Sequence, residues 1–166
     1  MNPIVPIALL IAAGAATPAF AATATQADRA FVAKVSQGGM FEVKAGRLAA
    51  QKASAQDVRD FGAMEAHDHT LVGDKLKAIS TSEGVALAPR LNAEFQGKLD
   101  HLMTLSGKAF DDAYMKEMST LHAGDGAAFA KESSDGGSQA YRAFGAETHL
   151  IVQRHIGAIH AAPPVG

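Results

Sequence analysis

Proline placement constrains this chain more than any other feature. The six prolines are Pro3, Pro6, Pro18, Pro89, Pro163 and Pro164, so proline-free stretches run from 19 to 88 and from 90 to 162. Proline lacks an amide hydrogen and its ring collides with the preceding turn, which excludes it from helix interiors. A chain that keeps it at the ends and at one mid-chain point favours long helices. Thr25 with Asp28, and Ser54 with Asp57, have the form of capping boxes and mark two helix starts. The predicted long helices cover 26–53, 55–82, 109–133 and 138–161, with a shorter one over 90–105. Gly84 and the loop before Pro89 end the second, and Ser134-Asp135-Gly136-Gly137 is a turn.

Apolar residues recur at helical spacing along each segment. The stripes are Phe31, Val35, Gly38, Ala45 and Ala49; Val58, Phe61, Val72, Leu76 and Ile79; Met115, Met118 and Phe129; and Phe144, Ile151, Val152 and Ile159. Strict alternation is absent, so strands are not expected. Four long helices joined by short turns predict an all-α, up-down four-helix bundle with one extra short helix between the second and third. Gly38, Gly39, Gly46, Gly62 and Gly73 each cost about 1 kcal/mol relative to Ala inside a helix, for which close backbone approach is the expected return.

Composition removes several function classes. Fifteen Lys and Arg against 17 Asp and Glu leave a formal charge of −2, without the basic surface of a nucleic-acid binder or a polybasic membrane anchor. With no cysteine there is no disulfide framework, thiolate metal site or cysteine nucleophile. No tryptophan and two tyrosines argue against an aromatic platform for bases or sugars. Residues 1–21 carry no Lys, Arg, Asp or Glu and hold the apolar run Ile7 to Ala13, then Ala19-Phe20-Ala21, a small-x-small cleavage site. This reads as a secretory signal peptide, although its start lacks the usual Lys or Arg. The expected mature chain is exported to the periplasm or cell envelope, with no transmembrane span, a bundle domain over 26–161 and a disordered tail over 162–166.

Polar residues interrupt the stripes. Glu42 lies near the centre of the first, Glu65 near the centre of the second with His69 and Asp68 on either side, His122 beside Met115 and Met118, and His155 between Ile151 and Ile159. An unpartnered carboxylate in a bundle core costs several kcal/mol, so these groups must meet one another, a metal or water. If the turns near 54 and 136 share one end, a rise of about 1.5 Å per residue puts Glu42 and Glu65 about 17–18 Å below it, His122 about 20 Å and His69 about 22 Å. His155 falls about 29 Å down, a second position closer to Asp111 and Met115 than to His122. A carboxylate–imidazole layer can bind Zn, Fe, Mn or Cu; Glu–His hydrogen bonds without an ion are the alternative. Met115, Met118 and His122 can offer soft ligands to Cu(I), but packing is the preferred reading of that stripe.

Other candidates are weaker. His67 and His69, two apart on a helix, diverge too far to chelate one ion, and His101, His149 and His160 read as surface or terminal residues. No Glu-x-x-His pair, Gly-x-Ser-x-Gly elbow or phosphate-binding Gly-rich loop occurs, so nothing marks a nucleophilic enzyme.

Asp28-x-x-Phe31, Glu42, Phe61 followed by Asp68-His69, Gly107-x-x-Phe110-Asp111-x-x-Tyr114, His122 and the late His155 form a set spread over residues 26–161. In these elements the chain resembles the bacterial ferritin-like family catalogued as domain of unknown function 4142. The resemblance implies a ferritin-like bundle in the periplasm or outer membrane, without an established activity. It marks Glu42, Asp68, His69, Asp111, Tyr114, His122 and His155 as motif positions and leaves out Glu65, where an apolar residue is usual. The combined expectation is a metal site built from Glu42, His69 and His122, with Glu65, Asp68 or His155 assisting. A non-catalytic envelope or stress-associated module with a Glu/His hydrogen-bond network is the alternative; a redox enzyme of ferritin-like ancestry ranks behind both.

Overall fold

The computed structural model describes residues 24–161, so the expected leader and tail lie outside the described residues. Five helices follow in order: α1 (Gln26–Lys52), α2 (Gln56–Ser82), α3 (Ala93–Thr104), α4 (Gly107–Asp135) and α5 (Gln139–Ala161). Each lies within three residues of its predicted bounds. α1 and α2 form one up-down pair and α4 and α5 the other. None of the described helices is long and apolar enough to cross a membrane.

The first predicted cap forms as expected. Thr25 accepts from the Asp28 amide while the Asp28 carboxylate accepts from the Thr25 amide. The second does not. α2 begins after Ala55, and Ser54 donates its hydroxyl to Asp111 on α4 instead of capping. Asp111 also accepts from the amides of Ser54 and Ala55, each at 2.9 Å. A buried carboxylate makes charge-assisted bonds to these amides, which are stronger than a hydroxyl cap.

The other turn is held in the same way from the opposite pair. Asp28 on α1 accepts from Gly137 at 2.8 Å and Ser138 at 3.2 Å, between α4 and α5. The turns near 54 and 136 thus lie at opposite ends of the bundle, contrary to the assumption behind the depth arithmetic. Arg29 reaches the carbonyl of Gly84, and Ser138 reaches the Glu83 carboxylate, so α2 ends where α1 begins. Residues 83–106, including α3, return the chain to the other end, and α2 and α4 run in the same direction. Such a crossover belongs to the ferritin-like bundle arrangement.

Two apolar clusters fill the ends. Phe41, Phe61, Phe110, Tyr114 and Met118 belong to the one nearer the α1–α2 turn. Phe31, Phe129 and Phe144 pack edge-on in the other, with ring centroids 5.4–6.3 Å apart. The Met stripe is mainly packing, with Met118 fully buried. Where α1 crosses α2 most closely, Gly46 and Gly62 face each other. A Cβ on Gly46 would lie 2.6 Å from the Gly62 carbonyl, and one on Gly62 would lie 2.7 Å from Ala49 Cβ. Close approach accounts for these two glycines but not for Gly39 or Gly73, whose added Cβ would meet nothing within 4 Å.

Candidate metal centre

Between the two apolar clusters, four helices bring their polar residues together. Glu65 and His69 come from successive turns of α2, where residues four apart share a face. His122 comes from α4 and His155 from α5. One donor atom from each of these four residues lies within 4.8 Å of all the others. Their side chains are buried, with Glu65, His122 and His155 at 0% exposure and His69 at 3%.

Each imidazole is oriented by its outer nitrogen. His69 Nδ1 donates to Glu42 Oε2 at 3.0 Å. His122 Nδ1 donates to the Met118 carbonyl, one turn back on α4, at 2.9 Å. His155 Nε2 donates to Asp68 Oδ2 at 2.8 Å, and Arg154 holds the same carboxylate oxygen from outside. A carbonyl or carboxylate can only accept, so the proton on each of these nitrogens is determined by its partner.

The inner nitrogens then face Glu65. His155 Nδ1 is 2.9 Å and His122 Nε2 is 3.2 Å from Glu65 Oε1, while His69 Nε2 is 3.3 Å from Glu65 Oε2. His122 Nε2 and His155 Nδ1 stand 3.1 Å apart. Neither Glu65 oxygen accepts a well-directed hydrogen bond, and His69 Nε2 also lacks one. Imidazoles with the outer nitrogen tied to an oxygen and the inner nitrogen turned to a shared centre are the usual pattern of metal-binding histidines.

The electrostatics are strongly coupled. Burial works to raise the Glu65 pKa, but the adjacent imidazoles of His122, His155 and His69 outweigh it and hold the carboxyl well below its usual range. Burial works to lower that of His69, but the Glu42 and Glu65 carboxylates raise it to about 10. His122 is shifted upward for the same reason, chiefly by Glu65. Protons therefore compete for the positions a cation would take. Burial, followed by the charges of Glu65 and Glu42, pushes up the Tyr114 hydroxyl, which is buried without a partner.

All six predicted site residues belong to this assembly, in two ranks. Glu65, His69, His122 and His155 face the centre, while Glu42 and Asp68 orient histidines from outside. Glu42 reaches His69 at 3.0 Å and stands 3.6 Å from His122. Glu65, which the family resemblance leaves out, is the carboxylate that all three inner nitrogens face. His155 is not in a separate position near Asp111 and Met115: it joins His122, whereas Asp111 ties down the α1–α2 turn. Cα–Cβ bonds tilt toward a helix's N-terminus, so on antiparallel α4 and α5 the two rings lean toward each other and close the gap computed along the axes. The exclusions hold for His67, His101 and His160, which are exposed, and His149, which is bonded to the Gly126 carbonyl.

Sequence reasoning missed three contributors. The Met118 carbonyl has no side-chain signature. Arg154 sits on an exposed face, and nothing in its neighbourhood pointed to Asp68. Asp125 was not among the candidate ligands, yet it is buried and lines a cavity that reaches Glu42 and His69. Its three-residue spacing from His122 was the available signal.

No curated protein and no solved structure matches the chain. A family model described as Domain of unknown function (DUF4142) matches residues 13–162, and the chain belongs to that family.

Proposed function

We propose that this is an exported helical-bundle protein that binds one divalent transition-metal ion through Glu65, His69, His122 and His155. The observation that carries the reading is the convergence of three inner imidazole nitrogens on a buried carboxylate, each outer nitrogen being already committed to an oxygen. Neutral rings held in this way turn lone pairs toward one another and toward Glu65, an arrangement that repels itself without a cation between them. Ligands about 2.0–2.1 Å from a zinc ion at tetrahedral angles stand about 3.3 Å apart. The separations between the inner nitrogens and the nearer Glu65 oxygen, and between His122 and His155, run from 2.9 to 3.3 Å, and the set of four donors lies within 4.8 Å. Three nitrogens and one oxygen suit Zn(II) best, with Cu(II), Fe(II) and Mn(II) within the range of the same donors. Export rests on the apolar leader and its Ala19-Phe20-Ala21 site.

A second reading is a non-catalytic envelope module in which protons on the histidines replace the ion. The raised pKa of His69 favours it. Elemental analysis of protein recovered from the periplasm under metal-replete growth separates the two. The metal reading expects about one ion per chain, a melting temperature that falls with chelator, and recovery on adding zinc. Protein free of metal, with melting insensitive to chelator, would favour the structural network. Recovery only in the cytoplasm, with the leader intact, would remove export from the reading.

A further inference from the structure

Beyond the four inward donors, a cavity of about 350 Å³ opens between α1 and α2. Its exposed mouth carries Lys44 and Arg47, and its inner walls are Val35, Val72, Leu76, Phe129 and Phe144. The buried end reaches Glu42, His69 and Asp125. The volume is at the lower end of the range for small-molecule sites, and the lining follows their usual form, apolar with a few convergent polar groups.

Two features bear on what this cavity can hold. Gly39 and Gly73 both line it, and a Cβ on either would meet nothing within 4 Å. Gly39 is half-buried and Gly73 exposed, so the two leave the chamber wall unobstructed at its mouth, at a cost of about 1 kcal/mol each relative to Ala. The second feature is Glu42, 1% exposed, whose Oε1 has no hydrogen-bond partner. Its other oxygen holds His69, and His122 Nδ1, 3.6 Å from Oε1, is already given to the Met118 carbonyl. Oε1 has almost no accessible surface of its own, so a head group in the chamber reaches it through a small turn of the Glu42 side chain, which the missing partner favours.

We propose that this chamber binds a small, largely apolar molecule with a hydrogen-bond-donating head, an alcohol or an amine, seated on Glu42 Oε1 and beside Asp125. The site needs only the Glu42 carboxylate and the open volume, so it stands with or without the metal ion. An anionic head would meet the Glu42 carboxylate and be disfavoured.

Cyclohexanol, cyclohexylamine and cyclohexanecarboxylate test this as probes of one apolar body and three heads, titrated into the folded protein by ligand-observed NMR and calorimetry. Saturable binding of the alcohol or the amine is expected, with the carboxylate at least tenfold weaker. Gly73→Leu and Gly39→Leu, which place side chains into the open volume, should each weaken probe binding at least tenfold. Far-ultraviolet circular dichroism verifies folding, and zinc stoichiometry, measured in parallel, should match the parent protein. Absence of saturable binding by both donor probes at millimolar concentration would overturn the proposal, as would equal affinity for the carboxylate. Unchanged probe binding in both folded leucine variants would also overturn it. Probe binding by the parent protein without zinc binding would count against the metal reading alone.

Discussion

The inner nitrogens of His122 and His155 face each other at 3.1 Å, while their outer nitrogens are held by the Met118 carbonyl at 2.9 Å and the Asp68 carboxylate at 2.8 Å. The two rings come from antiparallel helices and are separately fixed, so neither can turn away without breaking a buried hydrogen bond. Rings oriented by the fold itself would lower the ordering cost of binding an ion. The orienting residues should then matter to affinity as well as the ligands.

Removing a ligand and removing an orienting group should differ in degree. His122→Ala is expected to abolish stoichiometric zinc binding. Asp68→Asn should retain one ion per chain but weaken affinity about 10–100-fold, since loss of the carboxylate loosens His155 without deleting a donor. Competition against a chromophoric chelator measures both. Equal affinity of Asp68→Asn and parent would show that the His155–Asp68 bond does not tune the site.

Asp111 gives a stability prediction separate from metal. Its carboxylate accepts from the Ser54 and Ala55 amides and the Ser54 hydroxyl, and is fully buried. Asp111→Ala should cost about 2–3 kcal/mol, the range for lost hydrogen bonds to a charged group. Urea unfolding of the metal-free protein reads the loss, and zinc stoichiometry should be unchanged. Burial tends to raise the Asp111 pKa, but the Ser54 and Ala55 bonds outweigh it and lower it from 3.8, so this contribution is present at neutral pH and fades as pH falls below that value.

Two glycine substitutions should act in opposite directions. Gly46→Ala forces a Cβ to within 2.6 Å of the Gly62 carbonyl, so α1 and α2 must separate, at a cost of about 1–3 kcal/mol. Gly73→Ala meets no atom within 4 Å and should stabilise the helix by up to about 1 kcal/mol. Chemical denaturation of both variants checks the pair; a stabilising Gly46→Ala would contradict the close crossing.

Glu132 predicts a pH dependence away from the candidate metal centre. Burial, followed by the adjacent Asp28, raises its pKa from 4.5 to about 7. The folded state then holds a proton that the unfolded state releases, so this contribution is full below pH 4.5 and is lost as pH rises through about 7. Glu132→Gln should flatten melting temperature across that window and be more stable than the parent above it. Allowing for solvent near the group, the gain is on the order of 1 kcal/mol. Calorimetry between pH 4.5 and 8 measures the change in slope, and parallel curves for the two proteins would contradict the shifted pKa.

Much of this architecture was legible along the chain because helices are local objects. Proline exclusion, the Thr25–Asp28 box and the apolar period give five helices within three residues of their observed bounds. Ser54 was misread because its hydroxyl finds a stronger partner 57 residues away, a competition that no local motif reveals. Five glycines were given one explanation, but only Gly46 and Gly62 fit it well. Whether a missing Cβ permits close approach or leaves a void depends on what lies opposite.

The same division separates the parts of the site. Intrahelical spacing and burial pattern were enough to single out Glu42, Glu65, Asp68, His69, His122 and His155 as polar groups in apolar stripes. Reading along the chain alone, they had depth but no rank, and His155 was placed in a different position. Tertiary structure decided that Asp28 and Asp111 hold opposite turns, that the rings on α4 and α5 lean together, and which oxygen takes each outer nitrogen. Those choices fix which lone pairs remain to face Glu65. The physical reason is that helix formation is governed by neighbours within about four residues, whereas ligand geometry depends on hydrogen bonds between segments brought together only when the bundle closes.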